Sequence, residues 1–260
     1  MHVIAAFFTF SLLAAPQVRS DQSAADEGKL KGKSPKDAVG LAGKEMKKLK
    51  SYAGKLSGTA NEQKLDYACQ AIVKGAVAKM EGGTEVYAKE HKYAAKSSAG
   101  DYAAPGDMGG EEGAQAASAV NPQMMLLEAL SADVAKEWGP EDAVGDAPCK
   151  VLTADAPEKL KKAQIETFLS KVKEAAQYGL DKRADLKNSV SSYRIYVGKL
   201  DLKIHKIEWS LQPKFDLKGL PVPEEYASAL ENMKADYVFE FDYVTAVEFA
   251  VPKEAEKVMK

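Results

Sequence analysis

The chain has 260 residues, with 36 basic against 38 acidic side chains and a formal charge of −2. That balance supplies no electrostatic reason to bind nucleic acid. Its three histidines and two cysteines, the latter outside any C-x-x-C pair, exclude a multi-histidine metal site and a dithiol redox motif.

Residues 1–20, MHVIAAFFTFSLLAAPQVRS, hold an apolar run from Val3 to Ala15 that is too short to span a bilayer as a helix. Val18 and Ser20 follow at the small-residue spacing of a cleavage site, so the stretch reads as a secretory signal peptide. Residues 21–33 are polar, small and basic, and are expected to be disordered. The rest, 34–260, is expected to form a single α+β domain, helical over 34–190 and strand-rich over 194–251. In an oxidising compartment the pair Cys69 and Cys149 is expected to form one disulfide, two buried free thiols being the alternative.

Ser34 and Pro35 open a first helix, with Val39, Ala42, Met46, Leu49, Ala53 and Leu56 recurring at spacings of three and four until Gly58. Leu65, Cys69, Ile72, Ala76 and Met80 mark a second helix from Asn61 to Gly82, and Thr84 caps a third reaching about Lys96. A Gly-, Pro- and acid-rich stretch then reads as a long loop. Asn121-Pro122 opens a fourth helix carrying Leu127, Leu130, Val134 and Trp138 to Gly139-Pro140, and Asp155 with Glu158 starts a fifth that reaches Tyr178.

After about Tyr193 the apolar period falls to two. Leu200, Leu202 and Ile204 lie on one face, and a one-residue slip carries the pattern on through Ile207, Trp209 and Leu211, which predicts a bulge near His205 or Lys206. A helix from Pro223 to Ala235 separates this region from a last strand. The expected fold class is therefore α+β: an N-terminal helical portion of about five helices, then a C-terminal antiparallel or mixed sheet with one intervening helix.

No residue set points to catalysis, so the chain is read as non-enzymatic, with no cofactor and no metal. His205 and Glu208 fall on opposite faces of a strand, and Glu240, Asp242 and Glu248 read as the solvated face of the last one. Charge is uneven, nine lysines lying between Lys29 and Lys55 and ten acids between Asp101 and Asp146. The lysine face of the first helix is one that could contact an anionic membrane surface.

The most suggestive stretch is YVFEFDYVTAVEFAV, Tyr237–Val251, whose alternate residues form an apolar, aromatic edge with a bend expected near Thr245 and Ala246. That edge is expected to cover the protein's own helices, to line a ligand cavity or to insert in a membrane, with Tyr237, Phe239, Phe241, Tyr243, Phe249 and Trp209 as candidate ligand contacts. The reading is a secreted binding or surface protein that engages a protein or cell-surface partner. The alternative is an extracellular carrier of a lipid or other apolar small molecule, and the third reading is a membrane-active, pore-forming protein.

Overall fold

The computed structural model describes residues 28–60, 63–131, 134–171, 178–219 and 223–260. The signal peptide read at residues 1–20 lies outside them. Eleven antiparallel strands form one sheet: β1 (Ser51–Ala60), β2 (Gln63–Ile72), β3 (Val77–Glu81), β4 (Glu85–Lys89), β5 (Lys92–Lys96), β6 (Tyr102–Ala103), β7 (Ala135–Val144), β8 (Ala147–Asp155), β9 (Val190–Gly198), β10 (Ile204–Gln212) and β11 (Ala235–Asp242). Their spatial order is β6-β5-β4-β3-β2-β1-β11-β10-β9-β8-β7. Two meanders, β1 to β6 and β7 to β10, are thus joined through β11, which pairs with β1 on one side and β10 on the other.

This architecture overturns the expected helical first half. The second and third expected helices are the strands β2 to β5, and Val134 and Trp138, assigned to the fourth helix, lie at and within β7. The reason is arithmetic: residues four apart share a face in a strand as well as in a helix. Tyr52, Leu56 and Ala60, or Leu65 and Cys69, satisfy both periods, and all five point into the core.

In β1 the intermediate inward positions are Gly54 and Gly58, paired with Phe241 and Tyr237 of β11, so no apolar side chain marks the period of two. These glycines permit close approach. A Cβ on Gly54 would stand 2.5 Å from the Phe239 ring and closer still to the Glu240 carbonyl, and Gly58 holds φ +147°.

Six α-helices lie among the described residues: α1 (Pro35–Lys48), α2 (Gly110–Ser118), α3 (Pro122–Ala129), α4 (Glu158–Leu169), α5 (Glu224–Glu231) and α6 (Lys253–Val258). The expected helix starts at Ser34 and Asn121 are present, each side chain accepting from a backbone N–H of its first turn. The slip near His205 is also present, as a register shift between Ile204 and Lys206 in the β9–β10 ladder.

One face of the sheet packs against α1 to α5 in a continuous core that includes Leu56, Tyr67, Met80, Ile195, Ile207, Phe239, Met46, Leu126, Ile165 and Leu230. The opposite face is largely polar, except for a small cluster of Cys149, Val151 and Tyr196 and where α6 sets Ala255 and Met259 on Tyr87 and Ala94. Residues 21–33 were expected to be disordered. From Gly28 the chain instead makes a 3-10 turn that buries Leu30 in the core, with Lys29 N–H donating to the Lys199 carbonyl at 3.0 Å.

Tyrosines fasten the helical layer to the sheet, burying their rings while each hydroxyl finds a partner. Tyr52 donates to Gln123 Oε1 at 2.7 Å, Tyr67 to the Gln115 carbonyl at 3.0 Å and Tyr237 to the Ser118 carbonyl at 2.9 Å. Asn121, fully buried, adds a second clamp. Its Nδ2 donates to the Ala76 and Glu90 carbonyls at 2.8 and 3.1 Å, while its Oδ1 accepts from Gln123 N–H.

Candidate functional site: a lysine-rimmed apolar groove

An apolar opening of about 610 Å³ lies between α1 and α3. That is the size of a small-molecule site. Its walls come from Val39 and Met46 of α1, Leu126 and Leu127 of α3, and Val73, Leu130 and Val134 from the adjoining turns.

Gly40 and Gly43 complete the α1 wall, and a Cβ on either would meet nothing within 4 Å. Glycine inside a helix costs roughly 0.5–1 kcal/mol relative to alanine. Here both glycines face the groove, where they leave its volume open. Leu127 is 45% exposed at the mouth, unusual for a leucine with a core within reach.

Four lysines line the same groove, Lys36, Lys44 and Lys47 from α1 and Lys136 from β7, and among the described residues no acid does. Lys136 Nζ donates to the Ser131 and Val134 carbonyls, both at 2.7 Å, which holds the ammonium beside the apolar wall. Partial burial there pushes its pKa down to about 8.

The candidate ligand residues of the last strand region are placed differently. Trp209, Tyr237 and Phe239 are buried in the core, with the Trp209 and Tyr237 rings stacked at 5.2 Å and Phe239 edge-on to Phe241 at 4.7 Å. None of the three lines the groove. Phe239, Phe241 and Tyr243 back it indirectly: Tyr52 packs on Phe239 and Phe241 and holds Gln123, a lining residue, while the Tyr243 hydroxyl sits 3.4 Å from Met46 Sδ. Phe249 departs altogether, packing near Tyr87 on the opposite face.

The bend expected near Thr245 falls slightly earlier. β11 stops at Asp242, whose carboxylate accepts from the N–H groups of Val244 and Thr245 and from the Thr245 hydroxyl. This side-chain turn explains the break.

The expected disulfide is absent. Cys69 of β2 points into the main core, whereas Cys149 of β8 lies in a separate cluster with Val151 and Tyr196. Four strands stand between them and both thiols are free. Burial pushes them up to about 12 and about 11, so they stay protonated at neutral pH.

A second, water-sized cavity of about 30 Å³ touches Glu128, Gln164, Lys171 and Trp209. Glu128 Oε2 accepts from Gln164 Nε2 at 2.8 Å and from the Tyr193 hydroxyl at 3.1 Å, and burial raises its pKa despite both bonds. Lys171 donates to the Ala119 carbonyl and lies 4.1 Å from the Tyr93 ring centre, and burial pushes its pKa down to about 7. His205 meets Asp201 at 3.2 Å and Glu208 pairs with Arg194 at 2.9 Å, so these two do not converge. No group of three or more metal-ligating side chains occurs among the described residues.

No protein-family model matches the sequence, and no curated protein does. Among solved structures the chain is similar to the lipoprotein LppX of Mycobacterium tuberculosis, with a TM-score of 0.42 and 10% identity over 82% of this chain and 97% of that one. LprF from Mycobacterium bovis gives 0.42 and 10% over 86% and 100%. A LolA superfamily protein from Nitrosomonas europaea gives 0.32 and 10% over 88% and 98%.

Proposed function

We propose that this protein is a non-enzymatic carrier that holds an apolar small molecule in the groove between α1 and α3. The supporting observation is the pair Gly40 and Gly43, two helix-interior glycines that add no side chain over the opening beside the exposed Leu127 and the half-buried Leu130. A helix selected only for packing would carry alanine or a larger apolar residue there. The leader-like residues 1–20 favour an extracytoplasmic setting for this carrier.

Native mass spectrometry of the chain purified from a secreting host, before and after denaturation in organic solvent, tests the reading. The expected result is extra mass that is lost on denaturation and recovered as an extractable lipid-like molecule. A bare chain that also fails to take up added apolar probe would overturn it.

A further inference from the structure

We propose that the groove selects an anionic amphiphile: an apolar chain lying along the α1–α3 wall, with its acid group held by the lysines at the rim. This deepens the carrier reading and rests on it. Lys36, Lys44, Lys47 and Lys136 surround one apolar opening, with no acid among the described lining residues. Like charges so arranged repel one another, and an entering anion relieves that repulsion while its chain leaves water.

The two acids of α1 are already engaged. The Asp37 carboxylate accepts from the Ser34 hydroxyl at 2.7 Å while the Asp37 N–H donates to that hydroxyl oxygen, and Glu45 pairs with Lys48 at 2.6 Å. Two of the three N–H bonds of Lys136 go to the Ser131 and Val134 carbonyls, which fixes the ammonium and leaves one donor for a ligand. A charge-assisted bond from such a partly buried ammonium is stronger than one from a free surface lysine.

Equilibrium titration with fluorescent cis-parinaric acid and with its uncharged methyl ester tests the inference. The acid is expected to bind at least about tenfold more tightly at low salt, with the advantage shrinking as salt screens the rim. Lys44→Gln combined with Lys47→Gln, at exposed positions where the fold is not at risk, and Lys136→Gln should each weaken the acid several-fold and leave the ester unchanged. Equal affinity for acid and ester would overturn the inference while preserving the groove. Binding of neither overturns both. An acid preference that survives in Gly43→Trp, which fills the groove, would place the anion on the surface of α1 and also contradict the proposal.

Discussion

Single residues show where packing has been set against function. Gly54 is small because the Phe239 ring occupies the place of its side chain. Gly54→Ala is therefore expected to destabilise the fold by about 1–3 kcal/mol through overpacking, readable as a lower denaturation midpoint with an unchanged slope. Gly40 and Gly43 are small with nothing beside them, so the same change at Gly43 should stabilise rather than destabilise, by up to about 1 kcal/mol.

Lys171 illustrates a different tension. Burial holds its pKa near 7, far below the usual lysine value of 10.5, because the charged form has left water. Between those two values the unfolded chain binds the proton that the folded chain has released, so stability rises with pH across that window. From pH 7 to 9 the wild-type protein should gain stability over Lys171→Met by an amount approaching about 1.4 kcal/mol per pH unit, measured by chemical denaturation. Parallel profiles would show that Lys171 is not neutralised in the fold.

Elements were legible in the sequence where their punctuation was chemical. Ser34-Pro35, Asn121-Pro122 and the phase slip before Ile207 each reflect a hydrogen-bonding or pairing constraint that is local, and each appears in the structure. The strands β1 to β5 were not legible as strands, because apolar residues four apart fit both periods and the positions that would have decided between them hold Gly54, Gly58, Ala78, Ala88 and Ala95. Small inward residues let the helical layer approach the sheet closely, and the same smallness hides the alternation.

The candidate site was legible only in part. The aromatic edge of β11 was visible and is real, but it forms the support, whereas the groove arises from α1 and α3 meeting across a distance that no local pattern reports. The one available signal was a pair of glycines inside a well-capped helix. Asn121 ties α3 to the sheet, and Asn121→Ala removes both the α3 cap and two buried bonds to the β2–β3 and β4–β5 turns. A loss of about 2–3 kcal/mol is expected in equilibrium unfolding.

At the scale of the whole molecule, β11 closes two meanders into one eleven-stranded sheet, and tyrosine hydroxyls hold the helices over one face of it. The fold needs no covalent staple. Thiol titration of the denatured chain should find two free cysteines, and reductant should leave the melting temperature unchanged.

The proposal that the groove between α1 and α3 holds an apolar ligand is tested by a fluorescence titration with the neutral probe N-phenyl-1-naphthylamine on wild-type protein and on Gly43→Trp. Saturable one-site binding by the wild type is expected, with its loss in a variant that melts no lower, since a Cβ at Gly43 meets open space. Equal binding by both proteins, or binding by neither, would contradict it.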